Sequence, residues 1–412
     1  MIFSIAWKNV WRNKLRSIIV IASMVIGLLG GIFYLAFAKG MVQQQVSSAI
    51  HTEISNIQIH NPKFLINDEI KFVINNPNNK VQTIKKLDGV AEVTSRITSS
   101  AMVSSAITGT GIFIKGINIK EEKKISNISN LLVSGTYFNS KLHNPIVIGE
   151  KLAKKLKVKI RSKIVITIQN KSGDISYSAF RVAGIYKTHN SNFDQTNVFV
   201  TKDDLANIIG IDKNIATEIA VLLKHNNLTS IVSKKISELF NDEILNKKIV
   251  VRTWEEISPV LKMMNEMTIQ YSMIFVIIIL AALSFGIINT MLMAIMERVR
   301  EIGMLMAIGM NKLQVFLMIM LETVFLSVTG GLLGISLSWF LITIMGITGI
   351  DLSVLAEGLN SMGYSSLVYP ELDLVYYLLI GLLVIITAIL ASIMPARKAL
   401  KFNPAEAVRH DA

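Results

Sequence analysis

The sequence predicts a membrane protein with an α-helical four-span transmembrane domain and one large α+β extracytoplasmic domain. Hydrophobic residues make up 51% of the chain and charged residues only 17%, whereas soluble domains carry about 25% charged residues. The apolar residues are concentrated in four blocks, each longer than the 18 residues that indicate a spanning helix. We therefore predict spans at 17–39, 267–296, 313–348 and 374–396.

The segment before the first span, residues 1–16, has a four-residue repeat. Trp7 and Trp11 recur at this spacing, and Lys8 and Arg12 follow each of them by one position. On a helix these residues form an apolar stripe beside a basic one, which is typical of a helix that lies in the membrane interface. We predict a cytoplasmic amphipathic helix that anchors the chain, or alternatively acts as a lever on the first span.

The basic residues of the short loops predict the orientation. They cluster before the first span, between the second and third, and after the fourth, whereas 351–373 contains no Lys or Arg. The positive-inside rule then places both termini, the 297–312 loop and the 397–412 tail in the cytoplasm. Residues 40–266 and the 349–373 loop lie outside. A cleaved signal peptide is the alternative for the first block, but its 22 uncharged residues exceed the usual apolar core of about 7–15.

Residues 40–266 interleave strand and helix patterns, which favours the α+β class. Strand patterns occur at 54–60, 93–103, 111–117, 163–168, 180–186 and 197–200, and helical ones at 80–87, 150–156, 201–209 and 228–240. No metal-binding histidine pair, phosphate-binding loop or nucleophile motif is present. We therefore expect no enzyme activity, cofactor or metal. We interpret the polar segment His189–Asp194 as a solvated loop, with a contact to a partner as the alternative.

The net charge of +13 is spread along the chain without a run of five like charges, so we expect no nucleic-acid partner. The chain has no cysteine, and a domain outside the membrane must therefore be held together by packing rather than by disulfides.

Two features lie inside the predicted spans. Gly27 with Gly31, and Gly330 with Gly334, form two GxxxG patterns that let helices approach closely. Glu322 is the only charged residue within the third block. Intramembrane carboxylates usually face protein or a water-filled cavity. We expect this one to pair with Lys312 or Arg298, with a transport-related role as the alternative.

The 297–312 loop combines charges of both signs with an amphipathic helical pattern that ends at Gly309. A simple orientation loop would explain its cations but not Glu297 and Glu301.

This loop, with two other segments, resembles the permeases of lipoprotein-releasing and MacB-type ABC transporters, which share an FtsX-like membrane domain. Ala6–Ser17 looks like the entry helix of that family, Glu297–Gly309 like its coupling segment, and Pro395–Arg409 like its tail; Ile148–Ala153 is also similar. The resemblance implies a porter-like part at about 40–112 and 216–266 and a sabre-like part at about 113–215. It also implies that six residues couple the chain to an ATPase: Glu297, Arg298, Arg300, Glu301, Gly303 and Gly309.

The partners that the resemblance implies are a cytoplasmic ABC ATPase dimer, which binds the ATP, and a second permease chain, identical or paralogous. The expected function is to extract lipoproteins from the bacterial inner membrane toward a periplasmic carrier. Two alternatives stay open, namely an FtsX-like regulator of an envelope hydrolase or sensor, and a MacB-like subunit of a tripartite efflux pump. Membrane lipid and lipoprotein or other envelope cargo complete the expected partners.

Overall fold

The computed structural model describes residues 2–67, 69–138 and 142–400 of the chain. The tail that we predicted from residue 397 therefore lies outside the described residues beyond Leu400. The described α-helices are α1 (Ile2–Arg12), α2 (Lys14–Ala49), α3 (Phe64–Asn67), α4 (Pro77–Lys85), α5 (Ile119–Ile125), α6 (Glu150–Leu156), α7 (Ser191–Thr196), α8 (Lys202–Ile209), α9 (Thr229–Leu239), α10 (Asn241–Leu245), α11 (Trp254–Ile257), α12 (Pro259–Glu297), α13 (Val299–Ala307), α14 (Lys312–Thr348), α15 (Ala356–Ser361) and α16 (Leu374–Ala399).

Four of these helices, α2, α12, α14 and α16, are long and apolar enough to cross a membrane. They contain 36, 39, 37 and 26 residues, and about 20 suffice for the hydrocarbon core. The four predicted spans are thus confirmed, but two helices are longer than we expected. Helix α2 runs on past residue 39 to Ala49, and α12 begins at Pro259 rather than near 267. A helix ends where its backbone hydrogen bonds are interrupted, not where the apolar stretch ends.

The spanning helices belong to a compact unit formed by the described parts of residues 1–42, 266–351 and 367–412. Its core contains large side chains from α2, such as Met24 and Leu28, together with Val384 and Ala388 of α16. Small residues on the buried face of α16, among them Ala391 and Ser392, let α14 and α16 pack closely.

A second compact unit comprises residues 43–265 and 352–366. The predicted outer domain, 40–266, agrees with the first range to within a few residues. The middle of the predicted 349–373 loop belongs to this unit too, which we did not anticipate. One contact that holds it there joins the side-chain amide of Gln45 to the carbonyl of Met362, at 3.0 Å.

The strands are β1 (Ile57–His60), β2 (Ile74–Asn75), β3 (Val90–Ser104), β4 (Gly109–Ile117), β5 (Leu132–Gly135), β6 (Pro145–Gly149), β7 (Lys163–Gln169), β8 (Ile175–Tyr186), β9 (Asn197–Thr201), β10 (Ile215–Ala216), β11 (Glu218–Leu223), β12 (Val250–Thr253), β13 (Ile350–Asp351) and β14 (Leu367–Val368). The main sheet has the order β12-β1-β11-β3-β4-β9-β6-β8-β5, and β7 pairs with β3 and β8. The pairs β4–β9 and β6–β8 are parallel and the other pairs in this sheet are antiparallel. This mixed sheet with interleaved helices confirms the α+β class.

We call the second compact unit, residues 43–265 and 352–366, the α+β unit. It has two main cores that share strand β3. The first half of β3 pairs with β11, where Val93 faces Val221, and contributes to a core with α4 and α9. The second half pairs with β4 and β7, where Met102 faces Thr167, and contributes to a core with α6 and α8. The change of partners therefore occurs near residue 97. The boundary predicted near 112 lies in the middle of β4, because a single long strand serves both halves.

Candidate functional site

Helix α1 packs along α14 through the residues of its predicted apolar stripe. The Trp7 ring lies edge-on against Phe325, with the centroids 5.4 Å apart, and contacts Trp11 at 6.0 Å. Ala6 and Val10, on the same helix, are fully buried, whereas Lys8 is exposed. The stripe thus serves partly as a packing surface against α14. Its predicted place in the membrane interface stays a prediction.

Ion pairs join the first residues of the chain to the connection between α12 and α14. Arg12 pairs with Glu301 of α13, and Arg16 of α2 pairs with Glu297 at the end of α12. The hydrogen bond from Arg12 is the largest of the effects that lower the pKa of Glu301. Opposite charges therefore connect α1 and α2, at the start of the chain, to α12 and α13, which lie far along the sequence, at one end of the spanning helices. We call the residues Arg12, Arg16, Glu297, Arg298, Glu301 and Glu322 the charge network.

Arg298 is the centre of this network. Its Nε donates to Glu301 at 2.9 Å, and its Nη1 donates to both carboxylate oxygens of Glu322, at 3.1 and 3.4 Å. Glu322 is only 8% exposed, so a partner is needed to offset the cost of removing its charge from water. Of the two cations expected for Glu322, Arg298 is the observed one. A cavity of about 540 Å³ lies among the residues of the network.

Helix α13 itself is short and is followed by a left-handed residue. Gly309 has φ +109°, a conformation that favours glycine, and the backbone N–H of Met310 donates to the carbonyl of Leu305 at 3.0 Å. Gly303 is buried, and Arg300 is exposed. Met304 and Ile308 are 53% and 86% exposed. This end of the unit thus presents an apolar surface beside the charges, and the predicted coupling role of these residues remains a prediction.

The four glycines of the GxxxG patterns all lie at helix contacts. A Cβ atom added to Gly330 or Gly334 would lie 3.2 and 3.1 Å from side chains of α2, those of Met24 and Leu28 respectively. One added to Gly27 or Gly31 would meet side chains of α12, in the second case at only 2.4 Å. These glycines let α2 approach both α14 and α12 closely.

The α+β unit contains a buried ion triad that the sequence did not reveal. Arg96 of β3 donates two hydrogen bonds to Glu122, at 2.9 and 2.7 Å, and one to Glu218 of β11, at 2.7 Å. All three side chains are at most 5% exposed. Burial alone would raise the pKa of Glu218, but the nearby Arg96 brings it below its usual value. The available signal was a charged residue, Arg96, inside the predicted strand at 93–103.

The segment His189–Asp194 is not the solvated loop that we expected. Asp194 lies in α7 and is 2% exposed. Its carboxylate accepts hydrogen bonds from the backbone N–H and the hydroxyl of Thr188, the latter at 2.7 Å. Burial raises the pKa of Asp194 to about 6. The interpretation failed because polar residues that cap a short helix look like a surface loop in sequence.

No group of three or more His, Asp and Glu side chains that could hold a metal ion is found among the described residues.

Comparison with known proteins gives two matches to domain families. Residues 17–239 match the MacB-like periplasmic core domain, and residues 273–404 match the FtsX-like permease C-terminal domain. The first range contains more than half of the chain. Together the two ranges include nearly all of α2, most of the α+β unit and the charge network apart from Arg12 and Arg16.

Full-length relatives agree with these matches. The lipoprotein-releasing system transmembrane protein LolC of Buchnera aphidicola is 25% identical over 96% of this chain and 94% of its own length. The macrolide export ATP-binding/permease protein MacB of Escherichia coli is 23% identical over 97% of this chain and 59% of that protein. Among solved structures, the periplasmic region of MacB from Actinobacillus actinomycetemcomitans matches 52% of this chain and 95% of that structure, with 15% identity and a TM-score of 0.37.

Proposed function

The chain belongs to the ABC transporter permeases that combine a MacB-like periplasmic core domain with an FtsX-like permease domain, and from this membership we propose that it extracts lipoproteins from the bacterial inner membrane. It does so by passing the motion of a separate ATPase dimer to its α+β unit, while a second permease chain, identical or paralogous, completes the transporter. ATP is bound by the partner, and this chain has no cofactor of its own. A periplasmic carrier receives the cargo.

The observation that carries the proposal is the position of α13. This helix and the residue after it expose Met304 and Ile308, and Glu301 is joined to Arg12 and Arg298. A partner that pushes on the exposed face therefore moves α1 and α14 together with α13. In the proposed orientation both termini and α13 face the cytoplasm, as the positive-inside rule requires, and the α+β unit faces the periplasm.

The choice of lipoproteins as cargo rests on the LolC relative, which matches this chain over nearly the full length of both proteins. The MacB relative is named for macrolide export, and macrolides define the second candidate, in which the chain serves a tripartite efflux pump. An FtsX-like regulator of an envelope hydrolase or sensor is the third. All three candidates share the same coupling through α13 and differ in what the α+β unit contacts.

The coupling is tested by reversing one charge. Glu301→Arg places a third cation beside Arg12 and Arg298, so we expect cargo release to stop while ATP hydrolysis by the partner continues. The full chain with its ATPase is reconstituted into vesicles, and released lipoprotein and phosphate are measured together. Glu357→Arg, a reversal at an exposed position of the α+β unit, is the matched control. Normal release per ATP by Glu301→Arg would refute the coupling role.

The cargo is tested by gentle extraction of the tagged chain from its own membrane and mass spectrometry of what is bound. Acylated lipoproteins together with an ATPase support the proposal. An adaptor and an outer-membrane channel would favour the efflux candidate, and an envelope hydrolase or sensor would favour the regulator.

A further inference from the structure

A small cavity lies at the end of the spanning helices opposite to α13. It has a volume of about 260 Å³ and is formed by α14, by the segment at 369–372 and by α16. Its walls combine three aromatic rings, one carboxylate and one threonine hydroxyl with apolar side chains. The residues that provide the polar and aromatic groups are Trp339, Thr343, Tyr369, Glu371 and Tyr377.

The wall at 369–372 is held firmly in place. The backbone N–H of Glu371 donates to the carbonyl of Ala36 in α2, at 3.1 Å. A Cβ atom on Gly40 would lie 2.2 Å from the carbonyl oxygen of Tyr369, so only glycine allows this approach. The preceding strand, β14, pairs with β13. The cavity is therefore largely pre-formed, which is typical of a binding site.

Two polar groups that line the cavity have no partner in the described part of the chain. The Glu371 carboxylate makes no ion pair there, although the neighbouring Asp373 is paired with Lys39. Tyr377 is only 6% exposed, and its hydroxyl makes no hydrogen bond with the described residues. The hydroxyl is therefore free to donate a hydrogen bond to a ligand in the cavity.

The chemistry of these groups identifies the ligand. A carboxylate beside the exposed rings of Trp339 and Tyr369 attracts an ammonium group, through charge and through the ring faces. The hydroxyl of Tyr377, whose side chain lines the same cavity, suits a phosphate or ester oxygen. A primary ammonium and a phosphate a few bonds apart form the head group of an aminophospholipid.

We propose that this cavity binds the head group of phosphatidylethanolamine from the adjacent membrane leaflet. The ammonium group pairs with Glu371 between Trp339 and Tyr369, and Tyr377 donates to the phosphate or to an ester oxygen of the lipid. The cavity is too small for a whole lipid, so the acyl chains stay in the bilayer beside α14. The site does not depend on which cargo the transporter carries.

The test is native mass spectrometry of the full chain in detergent, with phosphatidylethanolamine, phosphatidylcholine or phosphatidylglycerol added in turn. We expect phosphatidylethanolamine to bind most tightly, because only its ammonium can both donate hydrogen bonds and pair with a carboxylate. Hydrogen bonds to charged groups contribute about 1.5–3 kcal/mol, so Glu371→Gln should weaken its binding roughly tenfold to a hundredfold. Glu357→Gln, in the α+β unit, is the control and should bind as the unmodified chain does.

Two further variants test the site independently, in case Glu371→Gln fails to fold. Trp339→Leu changes a side chain that is 56% exposed, and Tyr377→Phe removes only the hydroxyl; both should weaken binding several-fold at unchanged melting temperature. Equal binding of the three lipids would show only an interfacial aromatic belt and would overturn the proposal. So would undiminished binding by Glu371→Gln, or full competition by free phosphoethanolamine, which would indicate a soluble amine as the ligand.

Discussion

Replacing Arg96 by methionine should destabilise the α+β unit strongly. The substitution keeps a long side chain but removes the three hydrogen bonds to Glu122 and Glu218. Both carboxylates stay buried, at 1% and 5% exposure, and lose their cation. Breaking a buried ion pair in this way typically costs about 3–5 kcal/mol.

The effect should depend on pH in a defined direction. Without Arg96, burial raises the pKa of Glu218 above its value in the unfolded chain. Protonation of Glu218 then favours the folded state, so Arg96→Met should regain stability as the pH falls through that raised pKa. In the unmodified chain the pKa of Glu218 is lowered, and stability should instead be lost as the pH falls below the usual range of a glutamate.

Hydrogen exchange of the full chain in detergent measures this locally, in peptides from β3 and β11. For a domain of this size a loss of about 3–5 kcal/mol also corresponds to a decrease of roughly 6–20 °C in the melting temperature. Lys213→Met is the control, because Lys213 and Asp203 are both exposed and 3.8 Å apart and such pairs contribute about 0–1 kcal/mol. If both variants exchange alike, the triad does not stabilise the unit.

Three other perturbations follow from the contacts in the two units. Gly334→Leu should weaken the contact between α2 and α14 by about 1–3 kcal/mol through overpacking, which denaturant unfolding measures. Gly286→Leu is the control and should cause no such loss, because an added Cβ there meets no atom within 4 Å. Equal losses of stability in the two variants would contradict close packing at Gly334. In the unmodified chain the raised pKa of Asp194 should make the protein less stable as the pH rises from about 4 to 6. Asp194→Asn should remove this decrease, and an unchanged pH profile would contradict the reasoning. A double-mutant cycle of Arg12→Ala and Glu301→Ala should give a coupling energy below about 1 kcal/mol, since both side chains are partly exposed, and a larger one would indicate a less hydrated network.

Much of the fold could be predicted because its signals are local. The four spans follow from long apolar runs, and α6 was predicted with the same bounds that the structure shows, Glu150–Leu156. The partner of Glu322 could be narrowed to two cations, because a carboxylate inside a span needs one nearby in the chain or at the same helix end. The choice of Arg298 required the geometry of the α12–α13 turn.

The features that could not be predicted depend on contacts between residues far apart in sequence. The triad joins Arg96 to Glu218, which are brought together only when β3 pairs with β11. The exchange of partners along β3 has the same origin, because a continuous strand pattern does not show where its neighbours change. The proposed role of Tyr377 likewise depends on a cavity formed with the segment at 369–372.

The pairing of β1 has a consequence for how the protein is made. Ile57 faces Val221 of β11 on one side and Thr253 of β12 on the other, so β1 leaves the ribosome long before either neighbour does. At synthesis rates of about 5–20 residues per second, the wait for β11, roughly 160 residues later, lasts on the order of 8–30 s. During that time β1, which follows the first span, has neither of its neighbouring strands to pair with. Nascent chains should therefore be most prone to aggregation and proteolysis in this interval, and a translational pause before β11 should reduce the yield of folded protein.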